Sequence, residues 1–287
     1  MSTRTKETAA ANETEDINFI IAAIHTKNQT GQRFLATFKE KFDCEILDAR
    51  DRQGSSRGTH YDFDILVRSK TGEEAWKHVE HKGSKTFRAI KADEKPWTAG
   101  VQFHNGGCDK YSIAKDYAKK HYDIHIASGS LKTEFGIVAP TPSFEDWFKQ
   151  DCCVQADPRS DFGNELKQKV RAIRGHRSSL LDEREPVIEA LEVTQEVKQQ
   201  LIKEVLPIAN QALEQKDYWL TICGSLDDGN FNLAWSPKFT IGTINDVLIT
   251  KAKDILFEFK CSDDFTFGGI LRWGKGAGFS CLRVDLK

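Results

Sequence analysis

The stretch Tyr61 to Lys85, YDFDILVRSKTGEEAWKHVEHKGSK, holds the residue types best suited to chemistry on a phosphodiester. Side chains alternate faces along a strand, so in YDFDILV the acids Asp62 and Asp64 share one face while Phe63, Ile65 and Val67 share the other. In WKHVEHK, Glu80 and Lys82 share a face and Val79 lies opposite. A turn near Thr71 would pair the two runs as a hairpin and bring an aspartate, a glutamate and a lysine to one end of a small sheet. Two carboxylates there offer hard oxygen ligands to a divalent cation, and the lysine can orient or deprotonate an attacking water. The bland alternative is an exposed hairpin with ordinary outward charges, which does not account for two acids in an otherwise apolar run.

Asp64, followed sixteen positions later by Glu80-His81-Lys82, resembles the acid, acid-x-lysine signature of the PD-(D/E)xK nuclease superfamily, which includes many type II restriction endonucleases. The resemblance covers about a quarter of the chain. It implies catalysis by Asp64, Glu80 and Lys82, with Mg²⁺ (Mn²⁺ as substitute) held by Asp64, Glu80 and the carbonyl of His81. It also implies a restriction-endonuclease-like α/β fold, a mixed sheet flanked by helices. Asp62 competes with Asp64 for the role of first ligand. The sequence departs from the pattern in three places: His81 stands at a position that is usually apolar, no proline precedes the aspartate, and Gly31-Gln32-Arg33-Phe34 is followed by Leu35 where a helix-borne glutamate is often found, leaving Glu40 as the nearest substitute.

Lys85, Arg88 and Gln102 follow the triad and are candidates for contact with double-stranded DNA, as are Lys167, Lys169, Arg171 and Arg174 in KQKVRAIRGHR. The C-terminal FTFGGILRWGKGAGFSCLRVDLK resembles the closing strands of some restriction endonucleases and supplies Arg272, Lys275 and Arg283. A solvated helix face and a glycine-rich edge hairpin are the competing readings of these two segments. Gly269 to Gly276 imitates a phosphate-binding Walker A loop, but Gly276 stands where Ser or Thr is required and Ile-Leu-Arg-Trp reads as strand. His121 and His125 have a metal-like spacing in HYDIHIA, which reads as a strand in which the pair is structural.

The function these features predict is a Mg²⁺-dependent, sequence-specific endodeoxyribonuclease of the type II restriction class, compatible with a homodimer and with a DNA methyltransferase as genomic partner. The alternatives are a structure-specific repair or recombination nuclease and a non-catalytic DNA-binding protein.

The elements expected to position the site begin with helices. Residues 1–15 are small, polar and charged and read as a disordered tail; Ile17, Ile20, Ile21 and Ile24, then Phe34, Phe38 and Phe42 after a cap at Thr30, recur at helical spacing. Cys44 to Ala49, Tyr61 to Val67 and Trp76 to Glu80 read as strands, Gln102 to Lys120 as helical, and Tyr122 to Ala127 and Phe135 to Ala139 as strands. Asn164 to Gln215 reads as helical with a ridge of Ala190, Val193, Val197 and Leu201. Tyr218 to Cys223, Asn232 to Trp235, Ile255 to Phe259, Phe265 to Trp273 and Phe279 to Leu286 read as strands. A soft boundary at 151–164 divides a nuclease core, 16–155, from a helical and β C-terminal region, 156–287.

Composition sets the outer bounds. With 287 residues, 39% hydrophobic and 29% charged, the chain can bury a real core and is neither collagen-like, nor a disulfide scaffold, nor wholly disordered. A net charge of −2 excludes a polycationic coat, so the basic segments must act locally. No apolar run spans a bilayer and no secretion signal is visible, which predicts a cytoplasmic protein without a membrane partner, whose seven scattered cysteines are reduced thiols.

Overall fold

The computed structural model describes residues 3–52, 61–91, 94, 96, 104–153, 159–172, 184–262, 265–273 and 282–286, with backbone alone for 3–13, 104–106, 171 and 283. The architecture is mixed α/β. Its strands are β1 (Glu45–Asp51), β2 (Phe63–Arg68), β3 (Glu74–Ser84), β4 (His104–Gly107), β5 (Tyr218–Ser225), β6 (Asn230–Pro237), β7 (Ile244–Lys251), β8 (Ile255–Cys261), β9 (Thr266–Trp273) and β10 (Leu282–Leu286). They form two five-stranded sheets, ordered β1-β2-β3-β5-β6 and β4-β10-β9-β8-β7.

The chain forms two compact units, one from Met1–Phe103 with Asn210–Thr240, the other from His104–Ala209 with Ile241–Lys287. The division therefore falls differently from the boundary read at 151–164. Proline, glycine and aspartate accumulate there, but the first unit is completed only by a later segment. That segment supplies β5, which pairs parallel to β3, whereas β1, β2 and β3 form an antiparallel meander and β6 closes the sheet antiparallel to β5. A parallel partner requires a long crossover. Here it runs from Ser84 to Tyr218, and the helix Gln195–Glu214 carries the chain out of the second unit into the first.

Helices α1 (Thr3–Thr26) and α2 (Gln29–Phe42) pack on one face of the first sheet. Ile20, Ala23, Ile24, Phe34 and Phe38 from the helices meet Phe63, Ile65, Val67, Val79, Leu220, Ile222 and Trp235 from the strands. The α2 N-cap is Asn28, whose side chain accepts from the Gly31 N–H at 2.9 Å, rather than Thr30. Gly31 is required because a Cβ there would overlap the Ala23 carbonyl. Helix α1 also covers residues 3–15, where the sequence reads as a tail; the run Ala9-Ala10-Ala11 favours the helical backbone.

In the second unit β8 alternates cleanly, with Ile255, Phe257, Phe259 and Cys261 buried and the residues between them exposed. Five expectations change here. Tyr122–Ala127 is a π-helical continuation of helix α3 (Ser112–His121) and not a strand; helical spacing buries His121 and His125 together, and His121 stacks on Trp147 with ring centres 5.9 Å apart. Phe135–Ala139 is likewise not a strand, and β4 occupies 104–107, where the sequence pattern predicts helix. The helical stretch 164–215 is interrupted: Ala190 ends the helix Arg184–Ala190, Val193 lies in a break, and only Val197 and Leu201 share the helix Gln195–Glu214. Cys108 and Cys153 are disulfide-bonded, with Cα atoms 5.5 Å apart, so the expectation of reduced thiols fails for this pair. Among the described residues no helix is long and apolar enough to cross a membrane.

Candidate functional site

Burial of Phe63, Ile65 and Val67 against the helices turns Asp62 and Asp64 to the opposite face of the first sheet. Phe63 pairs with Val79 and Asp64 with His78. Continuing that register by one residue sets Asp62, not Asp64, opposite Glu80, and the Asp62 N–H donates to the Val79 carbonyl at 2.8 Å. Lys82 lies one pleat beyond Glu80 on the same face, and Arg50 of β1 pairs with Asp64. The expected acid, acid and lysine therefore share one face of adjacent strands.

Their partners divide them. Asp64 is 1% exposed and clamped, with His78 Nδ1 2.7 Å from one oxygen and Arg50 Nε 3.3 Å from the other. Arg50 is held in turn over the Trp76 ring, 3.8 Å from its centre. Asp62 is half-buried and accepts the backbone N–H of His81 at 2.7 Å. Glu80 is buried, with Lys82 Nζ 2.5 Å from one oxygen and Lys216 Nζ 3.8 Å from the other.

Lys216 is a site residue to which no sequence motif points. It is fully buried, donates to the Ala212 carbonyl at 2.8 Å and so satisfies the end of the helix Gln195–Glu214. Its neighbour Asp217 fixes its place, because the Asp217 carboxylate accepts the His78 N–H at 2.9 Å and the Asp217 N–H donates to the His78 carbonyl at 2.9 Å. Burial pushes Lys216 below the ordinary lysine value against the pull of Glu80, and the like charge of Lys82 adds to the fall. Only the pairing of β5 with β3 brings it to Glu80.

His81 points to the core face, 5% exposed, and Gly83 leaves room for its ring. Its Nε2 has no hydrogen-bond partner among the described residues. Burial lowers its pKa to about 3, so the imidazole is neutral near pH 7 and its side chain is remote from the carboxylate face. The oxygen donors of Asp62 and Glu80 suit a hard divalent cation. The three carboxylates do not close on a common point: among the described residues, the group of three ligand-type side chains lying within 4.8 Å of one another is Cys108, Cys152 and Cys153.

The basic residues expected to touch DNA are differently committed. Lys85 is exposed. Arg88 forms a two-pronged pair with Glu94, which holds its guanidinium charged. Lys167 is half-buried, whereas Lys169 donates to the Gly136 carbonyl at 2.7 Å and lies 3.6 Å from Glu165. Arg272 binds Asp285, which is 1% exposed, at 2.6 Å and 2.8 Å. Arg171 lies on the helix Asp161–Ala172 and Arg283 on β10, with their side chains undescribed; Gln102, Arg174 and Lys275 lie outside the described residues. His121 and His125 have ring centres 4.8 Å apart in an apolar, aromatic setting, and burial holds His121 well below the ordinary histidine value. No protein-family model matches the chain, and no curated protein matches it in sequence.

Proposed function

We propose that the protein is a Mg²⁺-dependent endodeoxyribonuclease of the restriction type, acting through Asp62, Glu80 and Lys82. The observation that carries this reading is the placement of the Asp62 carboxylate, one residue before β2, opposite the glutamate of an acid-x-lysine triplet on β3, with the lysine 2.5 Å from that glutamate. The antiparallel meander joined by a crossover to a parallel strand, with helices on one face, is consistent with the restriction-endonuclease-like core that the sequence resemblance implies.

Asp62 and Glu80 would hold the metal. Bound there, it supplies charge neutralisation at the scissile phosphate and acidifies a water. Asp62 is aimed by the His81 N–H, so the triplet itself orients the opposing carboxylate. Lys82 orients the attacking water and balances the charge that develops on the phosphate. Lys216 places a buried amine 3.8 Å from the Glu80 oxygen that Lys82 does not hold. Asp64 does not ligate in this assignment; it holds Arg50 and His78 beside the site. Mn²⁺ should substitute for Mg²⁺, while Ca²⁺ should support binding but little cleavage because its looser coordination positions water badly. The test is incubation of unmethylated supercoiled plasmid with the protein and each ion, in which Mg²⁺ yields nicked or linear product and chelator abolishes it.

A further inference from the structure

We infer that Cys108, Cys152 and Cys153 form a redox-gated site for a soft d¹⁰ cation, Zn²⁺ or Cu⁺, in the second unit. All three sulfurs lie within 4.8 Å of one another. Zinc–sulfur bonds of about 2.3 Å would set sulfurs on one tetrahedral face about 3.8 Å apart, so modest shifts of the three side chains would supply three ligands and leave the fourth position to water. Thiolates select soft cations over Mg²⁺, so this site would not compete for the ion proposed at Glu80.

Two separate segments build the cluster. Cys108 opens the turn Cys108–Lys110 directly after β4. Cys152 ends the turn Phe148–Cys152, and the Cys153 N–H caps it by donating to the Phe148 carbonyl at 3.0 Å. Cys108 and Cys152 are fully buried and Cys153 is half-buried, which gives the cluster one side open to solvent. A disulfide that served only as a cross-link would have no use for a third buried sulfur beside it. Cys44, Cys223 and Cys261 are not disulfide-bonded, lie outside the cluster and provide an internal comparison.

The bond between Cys108 and Cys153 is the gate. While it stands, only Cys152 can offer a thiolate. A dithiol reductant that is itself oxidised to a disulfide delivers two electrons and two protons, and Cys108 and Cys153 become thiols. Binding of the cation then displaces the thiol protons into solvent, which makes affinity rise with pH.

The test uses the full-length chain, reduced with a phosphine and desalted without oxygen, titrated with Zn²⁺ or Cu⁺ against a chromophoric chelator, with Co²⁺ as a spectroscopic probe of thiolate ligation. The reduced parent should take up about one cation per chain and give a sulfur-to-cobalt charge-transfer band. The oxidised parent should bind at least about a hundredfold more weakly, and Cys152→Ser at least about tenfold more weakly. Cys44→Ser should match the parent, and circular dichroism should show each variant folded. Uptake by the reduced parent that equals that of the oxidised parent, or that persists in the Cys108→Ser/Cys152→Ser/Cys153→Ser chain, would overturn the inference.

Discussion

The His81 backbone N–H donates to the Asp62 carboxylate at 2.7 Å, so the middle residue of the acid-x-lysine triplet reaches across the hairpin and aims the opposing acid. The Asp62 N–H returns the link through the Val79 carbonyl at 2.8 Å. Relative placement of the two carboxylates is thus set by main-chain contacts, which side-chain substitution at position 81 leaves intact.

The two aspartates of YDFDILV should behave differently. Asp62→Asn should lower Mg²⁺-dependent cleavage by about a hundredfold or more with little change in melting temperature, because it removes a proposed ligand but not a buried ion pair. Asp64→Asn should destabilise by about 2 kcal/mol, since Arg50 and His78 lose a buried anion. Paired kinetics and thermal melts separate the two, and an Asp64→Asn chain that melts like the parent while Asp62→Asn cleaves normally would reverse the assignment.

Acid sensitivity should trace in part to His81. Its folded pKa lies near 3 while the unfolded chain protonates near 6.5, so protons favour the unfolded chain between those values. Its contribution to stability is complete above pH 6.5 and is lost as pH falls toward 3. His81→Leu should flatten the fall in melting temperature between about pH 7 and about pH 4.5 and leave cleavage within a few-fold of the parent. An unchanged acid limb would count against a neutral, buried imidazole.

Much of this site is legible in the sequence. The period of two in YDFDILV and WKHVEHK fixes which side chains share a face, and Ser69 to Gly72 marks the turn. Which aspartate opposes Glu80 is not legible, because moving the pairing by two residues preserves every face. Lys216 is invisible for another reason: it lies far along the chain from Lys82 and arrives through strand pairing rather than a motif. His121 to Ala127 misleads because its short alternation imitates a strand, while packing of His121 between Trp147 and Trp273 selects a helix. The pairing of Cys108 with Cys153 likewise rests on tertiary proximity across a separation of 45 residues.

The basic residues should sort into structural and DNA-binding groups. Arg272→Ala removes an ion-pair partner of the buried Asp285 and should destabilise by about 2 kcal/mol. Lys85→Ala should change stability by less than about 0.5 kcal/mol yet weaken duplex binding on all sequences and lower the salt slope by about one. Thermal melts and titrations at several salt concentrations check both; an unaltered slope for Lys85→Ala would place it away from DNA.

Gly31→Ala should be among the most destabilising single-methyl changes, because the added carbon would collide with the Ala23 carbonyl where α1 and α2 approach. A loss of about 2 kcal/mol or more is expected by denaturant unfolding, and a loss below about 0.5 kcal/mol would show that the two helices are not so closely packed.

The nuclease assignment stands or falls on plasmid cleavage by the parent and by Lys82→Ala, each in Mg²⁺ and in excess chelator, alongside melting curves for both. The parent should cleave in Mg²⁺ and not in chelator, and a folded Lys82→Ala chain should lose activity by about a hundredfold or more. Cleavage that survives chelation, or full activity in Lys82→Ala, would contradict the assignment.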